Sequence, residues 1–383
     1  MRFSMFSAAF VAALVGYGGT ITIVLAAAQA LQATPEQTAS WVMVICFAKA
    51  IGSASLSTMT RLPVVLAWST PGAALIAASQ GFTMPEAVGA FILAAALIVL
   101  TGLIPILGRL IASLPKALGA AMLAGVLLPL VMKAPAAIPL APQIAVPVIA
   151  IFLLVRLWNP VFAVIVALAA GLALAVVLGV PSLPPDALHL SHPVVITPAI
   201  SATALISLGL PLYLVTMASQ NLPGFAVMQA AGYPPPVRPA LVVSGGLSGI
   251  AALFGAHTIN MAAITAAICM GPDVHPDAAQ RWRVGLAYGV WWVLLGLAGP
   301  FVLAVLSIMP PELMATIAGL ALLTPLMGAL ASAFETPDTR FAAAVTLATG
   351  ASGVALFGIG AAFWGLVAGL LVMTGERLAR RKA

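Results

Sequence analysis

Leu62–Ser79 reads LPVVLAWSTPGAALIAAS, and its character changes halfway along. The part up to Trp68 is extended in character, whereas the hydroxyl, proline and glycine residues that follow are typical of a helix start. We expect Thr70 at the N-cap and Pro71 at the first helical position. A helix from there to Ser79 is only about 14 Å long at 1.5 Å per residue.

A second stretch, Phe254–Met270, repeats this pattern as FGAHTINMAAITAAICM. Its first residues are irregular, and either Thr258 or Asn260 is predicted to be the N-cap of the short apolar helix that follows. Gly271 and Pro272 then form an ordinary helix stop signal. The chain therefore contains two extended segments, each leading into a short helix.

The composition places these stretches in a membrane. Only 24 of the 383 residues are Lys, Arg, Asp or Glu, which is 6%, while 63% are hydrophobic; an ordinary soluble domain is about 25% charged. The mean hydropathy is +1.17. These values exclude a cytosolic enzyme, a nucleic-acid-binding protein and a disordered chain. The two cysteines, Cys46 and Cys269, lie in apolar stretches and indicate neither a disulfide framework nor a metal site.

Charged residues divide the chain into apolar windows that can each hold a helix of about 20 residues. The count is 14 spans, or 12 if the windows 239–272 and 341–375 hold one helix each rather than two. With Arg2 inside, the basic residues fall on inner connections, with Lys133 as the exception. The positive-inside rule then puts both termini in the cytoplasm. Lys49 is expected to extend toward the cytoplasmic end of its span.

The longest polar connection, 181–199, leaves seven spans on each side, so the halves 1–185 and 186–383 have opposite topology. Inverted repeats of this kind are common in secondary transporters. The two short helices occupy spans 3 and 10 and start near the membrane midplane. Two facing helix N-termini offer free N–H groups at Gly72, Ala73 and the 258–261 turn, which favours an anion site. The alternative is that both breaks are kinks in packed helices.

Several single residues are candidates for the site. Gln220 and Asn221, within TMASQNLPG (216–224), could bind a polar substrate or form helix–helix hydrogen bonds. His257 could carry a proton or could be a neutral imidazole bonded to a carbonyl. Tyr17 could lie against a ring and Thr20 could donate to a carboxylate, although packing explains both equally well. No G-x-x-x-x-G-K-[ST] motif is present, so uphill transport would use an ion gradient.

Three motifs resemble the benzoate membrane transporter family, the BenE-type benzoate–proton symporters: TMASQNLPG, FGAHTINMAAIT (254–265) and WSTPGAAL (68–75). The resemblance implies the seven-plus-seven inverted fold shared with nucleobase–proton symporters and sulfate/bicarbonate-type transporters. A core (spans 1–4, about 1–108, and 8–11, about 200–308) would move against a gate (spans 5–7, about 109–185, and 12–14, about 309–383), often in homodimers. The substrate positions that it implies are Ser69, Thr70, Gly72, Ala73, Gln220, Ala256, Thr258 and Asn260.

The resemblance and the anion site together predict a membrane protein of all-α class that imports benzoate or a related aromatic carboxylate with protons. We expect it in the bacterial inner membrane, with no cofactor, metal, nucleic-acid partner or enzymatic activity. A symporter for a nucleobase or another small anion and a passive anion channel are the alternatives.

Overall fold

The computed structural model describes residues 2–18, 20–79, 81–104, 106–107, 115–160, 162–179, 192–262, 264–307, 309–356 and 360–380. Within these ranges, seven helices are long and apolar enough to cross a membrane, and a bent pair from Ala278 to Val305 would make an eighth. The prediction of a helical, multi-pass membrane protein is confirmed. Arg109, and residues 181–191 of the predicted polar connection, lie outside the described residues.

The first half begins with a broken helix and continues through one short strand. Thr34 and Gln37 form a capping box that starts the third helix, and Arg61, with a φ of 57°, ends it. The elements are α1 Phe3–Gly18, α2 Ile21–Ala30, α3 Pro35–Thr60, β1 Leu66–Trp68, α4 Thr70–Ala78, α5 Met84–Leu103, α6 Lys116–Ala136, α7 Pro142–Trp158 and α8 Ala163–Val177.

The second half repeats the order in which a strand and a short helix follow the first helical segments. Its elements are α9 Ala202–Ala230, α10 Val237–Ala252, β2 Ile259–Met261, α11 Ile264–Met270, α12 Val284–Leu297, α13 Gly299–Ser307, α14 Pro311–Phe334, α15 Arg340–Ala351 and α16 Ala361–Arg380. Helix α9 contains two π-helical segments, Leu205–Gly209 and Met217–Asn221. Such segments are frequent at functional sites. The windows 239–272 and 341–375 each contain a break, after α10 and after α15, and Gly255 and Gly353 in these breaks have a positive φ.

The two strands pair with each other although they come from different halves. They are antiparallel, with Leu66 opposite Met261 and Trp68 opposite Ile259. Around this ribbon, α3 packs on α12 and α10 packs on α5, while α6 packs on α14 and α15. The contact between α3 and α12 depends on Gly285 of α12, because a Cβ there would overlap the Ser57 side chain of α3. Both chain breaks are thus held together in the interior of the bundle.

Candidate substrate-binding site

The β1–β2 ribbon, formed by Leu66–Trp68 and Ile259–Met261, lies at the centre of the candidate site. It is extended at both ends by backbone bonds from Ser69 N–H to the Thr258 carbonyl (3.0 Å) and from Ala262 N–H to the Val65 carbonyl (3.1 Å). Such a short ribbon is marginally stable alone. Non-helical backbone inside a membrane protein also requires a partner for every polar group.

Side chains from the flanking helices supply those partners on the outer edges of the ribbon. On α3, Ser53 Oγ accepts from Leu66 N–H (2.9 Å). On α10, Ser248 Oγ accepts from Ile259 N–H (2.9 Å), and Asn221 Oδ1 of α9 accepts from Met261 N–H (2.9 Å). In each half, therefore, a serine on the helix before the strand accepts a hydrogen bond from a backbone N–H of that strand. The sequence analysis did not identify these serines, since a serine on an apolar helix carries no local signal of such a role.

The start of helix α4 differs from the prediction by one residue. Ser69, not Thr70, is the N-cap: its Oγ accepts from Gly72 N–H at 3.1 Å. Pro71 is consequently the second helical residue. Ala73 N–H donates to the Ser69 carbonyl at 2.7 Å. The expectation that the Gly72 and Ala73 amides are free is therefore wrong in this conformation.

The predicted cap of the second short helix is also wrong. Asn260 lies within strand β2, and Thr258 precedes the strand, so neither starts α11 at Ile264. With Asn260 Oδ1 accepting from Ser69 N–H (2.9 Å), its Nδ2 donates to the Met261 carbonyl (2.9 Å). These residues cross-link the two breaks instead of capping a helix. The N–H groups of the 258–261 turn are largely engaged as well, as those of Ile259 and Met261 show.

Three buried hydroxyl groups join the two halves beside the ribbon. Thr216 Oγ1 donates to Ser69 Oγ (3.0 Å), which leaves Thr258 Oγ1 to donate to Thr216 Oγ1 (2.9 Å). All three side chains are fully buried. The structure thus brings together Ser69 and Thr258, which the sequence analysis selected, and adds Thr216 of α9.

His257 bonds through both of its ring nitrogens. Nδ1 accepts from Trp41 Nε1–H (3.0 Å), so Nε2 carries the proton and donates to the Ser69 carbonyl (3.2 Å). This is the geometry of a neutral imidazole, the second of the two interpretations above. Ala256, which is fully buried beside it, donates its N–H to the Ala251 carbonyl and closes the turn after α10.

Gln220 and Asn221 point to different environments. Asn221 is fully buried and bonds Met261 N–H, as described above, while its Nδ2 donates to Met217 Sδ (3.3 Å). Gln220 is half-buried, and no hydrogen bond joins it to any residue in the described ranges. Asn221 therefore positions the ribbon, and Gln220 is the amide of the pair that is available to a ligand.

An aromatic cluster lies on the side of the ribbon that faces α1. The rings of Tyr17, Trp68 and Trp292 are 5.4–6.0 Å apart by centroid. Trp68 Nε1–H donates to Thr20 Oγ1 (2.7 Å), whose own hydroxyl donates to the Gly16 carbonyl (2.6 Å). Tyr17 Oη is buried and has no hydrogen-bond partner among the described residues. Tyr17 and Thr20 thus pack against Trp68 of the ribbon, and the Thr20 hydroxyl is engaged within the protein.

Lys49 belongs to the same cluster, contrary to the sequence analysis. Its side chain is 1% exposed and does not reach the membrane surface. Nζ lies over the rings of Trp68 (3.5 Å to the centroid) and Trp292 (2.9 Å). Aromatic faces attract cations, and this attraction, absent from any local sequence pattern, directs the side chain inward.

A cavity of about 810 Å³ lies elsewhere in the helical bundle. It lies between α2 and the start of α3 on one side and α6, α13 and α14 on the other. Exposed Glu36 and Lys133 line it, as does Thr22, whose Oγ1 is buried without a partner among the described residues. Its volume falls in the range of small-molecule pockets. Neither the ribbon nor any of the site residues predicted from the sequence lines this cavity.

Comparison with known proteins identifies relatives along almost the whole chain. The profile of the benzoate membrane transport protein family (BenE) matches residues 1–374. The chain is 40% identical to inner membrane protein YdcO of Escherichia coli (94% of this chain, 93% of the relative). It is 33% identical to the benzoate membrane transport protein of Acinetobacter baylyi (95% and 93%).

Two solved structures share the fold at low sequence identity. The transmembrane domain of the cyanobacterial bicarbonate transporter BicA superposes with a TM-score of 0.61 at 14% identity, covering 99% of this chain and 98% of that one. SLC26A9 superposes with a TM-score of 0.63 at 10% identity, covering 97% and 65%. The family resemblance predicted from the three motifs is confirmed, and this protein is a transporter rather than an enzyme.

Proposed function

Because the chain belongs to the benzoate membrane transport family, we propose that it imports benzoate or a related aromatic carboxylate together with protons. The name of the Acinetobacter relative supports the substrate, and the name of the E. coli relative supports an inner-membrane location. The observation that carries the proposal is the ribbon of two strands, one from each half, each followed by a short helix in the interior of the helical bundle.

The proposed architecture is fourteen spans in two inverted halves, with both termini in the cytoplasm. The repeated element order and the likeness to the two solved transporters support it. In this arrangement α1–α5 and α9–α13 form a core around the ribbon, and α6–α8 and α14–α16 form a gate. The strongest helix pairings lie within each of these sets, and the cavity lies between them. A homodimer is also proposed, from the family resemblance alone.

The substrate is proposed to bind beside the ribbon. Of the residues selected from the sequence, Gln220 has an amide without a hydrogen bond to the described residues, and Tyr17 lies beside the Trp68 ring with a buried hydroxyl that has no partner among them. The Thr258 hydroxyl would exchange its bond to Thr216 Oγ1 for a bond to a carboxylate, and the Ser69 hydroxyl, which accepts from Thr216, has a proton of its own to donate. Such an exchange keeps every buried polar group paired, which an apolar interior requires.

An anion is favoured over a nucleobase by the chemistry of α9. The family resemblance implies that nucleobase symporters carry a carboxylate near the position of Gln220, which is an uncharged amide here. A carboxylate would repel an anionic substrate, whereas an amide can donate to it. A passive channel is the remaining alternative and differs by lacking uphill accumulation.

The experiment is uptake of labelled benzoate by proteoliposomes with and without an inward proton gradient. We expect accumulation that requires the gradient, is abolished by a protonophore and is reduced by excess benzoate but not by uracil or sulfate. Gln220→Ala should lower uptake about tenfold, the equivalent of one lost hydrogen bond of about 1.4 kcal/mol. Gln229→Ala, at an exposed position of the same helix, is the matched control. Equilibration without accumulation would show a channel.

A further inference from the structure

The Lys49 side chain is a buried amino group without an acidic partner. Helix α3, Pro35–Thr60, is one of the helices long enough to cross the membrane, and Lys49 lies in its middle. The eight Asp and Glu residues in the described part of the chain lie in connections or near helix ends. No hydrogen bond or ion pair joins Lys49 to another residue of the described ranges. Ionisable residues at this depth are costly, and they usually have a function.

The groups that surround Lys49 cannot neutralise an ammonium ion at neutral pH. Of the titratable ones, Cys46 on α3 itself and His257 before β2 act on Lys49 electrostatically, and Tyr17 from α1 and Tyr288 from α12 pack on the Trp292 ring that faces it. None is a carboxylic acid. The tryptophan rings offset only part of the cost of a buried cation.

A transported carboxylate near the ribbon would be a buried anion, and it would need a positively charged partner. The ribbon and the wall of α9 offer hydroxyl and amide groups to it but no arginine or other lysine among the described residues. Bringing an anion and a cation together in a medium of low dielectric constant removes most of the cost of burying either one. An anion near the ribbon would therefore favour protonation of the Lys49 amine.

We infer that Lys49 carries the proton that accompanies the substrate anion; this inference rests on the proposed function. The Nζ amine gains a proton from the outer solution as the carboxylate enters, forming one N–H bond, and loses it to the cytoplasm as the carboxylate leaves. The loaded site is neutral, and no bond of the substrate changes. His257 is unsuited to this role because both of its ring nitrogens already bond, to Trp41 and Ser69.

Trp68 provides the contact between Lys49 and the candidate site. One part of its indole lies against Nζ, while Nε1–H donates to Thr20 Oγ1 on the side of α1. A charge that appears on Lys49 polarises this indole and strengthens its N–H as a donor. The protonation state of Lys49 can thus affect the hydrogen bond between Trp68 and Thr20.

The test separates substrate movement from proton coupling by using Lys49→Arg. Arginine keeps a positive charge but cannot release a proton. In proteoliposomes, we expect Lys49→Arg to retain benzoate counterflow at equal pH on both sides. It should lose accumulation driven by a pH gradient, which for one proton per anion is about tenfold per pH unit in the wild type. Lys116→Arg, at an exposed position at the start of α6, should retain both activities.

The outcomes distinguish the inference from the proposed function. A wild-type protein without benzoate transport in either assay would overturn both. A wild-type protein that is active in both, with Lys49→Arg also active in both, would overturn only the role of Lys49.

A second measurement covers the case in which the arginine does not fit between the tryptophan rings. Purified protein in weakly buffered detergent is mixed with benzoate, and a pH indicator reports proton uptake. The wild type should take up protons on binding, and Lys49→Met should not. Equal proton uptake by the two proteins, or none by the wild type, contradicts the inference.

Discussion

Replacing Ser248 by alanine tests whether the ribbon depends on side-chain partners from the helices. The Ser248 hydroxyl accepts from Ile259 N–H (2.9 Å) and donates to the Ser244 carbonyl (2.7 Å). Alanine fills nearly the same space but leaves the Ile259 amide without a partner in the membrane interior. An unpaired buried donor costs about 1–3 kcal/mol. We expect the free energy of unfolding to fall by this amount.

The assay is thermal unfolding in detergent, followed with a dye that becomes fluorescent when it reacts with a thiol. The two cysteines, Cys46 and Cys269, are both fully buried and become reactive only when the structure opens. A loss of 1 kcal/mol lowers Tm by about 2–4 °C in a chain of 150–250 residues and by less in a longer one. Ser248→Ala should therefore lower Tm by a few degrees and reduce benzoate uptake.

Ser244→Ala is the matched control one turn earlier on α10. Ser244 is equally buried, but its hydroxyl only approaches the Leu241 carbonyl of its own helix, at 3.5 Å. This variant should keep the Tm of the wild type to within about 1 °C, since the lost bond is weak. If Ser248→Ala and Ser244→Ala had the same Tm and the same uptake, the ribbon would not depend on the serine.

Two further variants test the aromatic cluster and the helix packing. Tyr17→Phe should leave Tm unchanged or slightly higher, because the buried hydroxyl has no partner among the described residues. The same variant should raise KM for benzoate if that hydroxyl binds the substrate. An unchanged KM would show that Tyr17 is not part of the site. Gly285→Ala should destabilise the protein by about 1–3 kcal/mol, because its Cβ overlaps Ser57, and lower Tm and the yield of folded protein. Gly246→Ala, where a Cβ meets nothing within 4 Å, is its control, and equal Tm values for the two would contradict the packing argument.

The extended segments and short helices could be predicted because their signals are local. The Ser-Thr-Pro-Gly run starts α4, and the irregular residues before Ile264 lead into α11, as expected. The exact cap could not be predicted, because Ser69 and Thr70 are both good N-cap residues in sequence. Only the bonds from Thr216 and Gly72 show which hydroxyl takes that position.

The state of the backbone amides could not be predicted from either stretch alone. A helix N-terminus in sequence always has free N–H groups. Here Ser69 satisfies Gly72 and Ala73 from within α4, while Ser248 satisfies Ile259 from a different helix. The position of Lys49 was missed for a similar reason, since its partners Trp68 and Trp292 are distant in sequence. Periodicity locates a helix, but only tertiary contacts determine which way a lysine on it turns.

The strand pairing also sets an order of events during synthesis. Leu66 and Met261 are 195 residues apart in the sequence, a length that a ribosome synthesises in roughly 10–40 s at about 5–20 residues per second. During that interval the first strand is already made, while its partner does not yet exist. During this time backbone groups of β1 in the N-terminal half are without their partner strand. They then contact water, lipid headgroups or the insertion machinery instead. Completion of the chain is what permits this segment to enter the interior, so neither half is expected to mature alone.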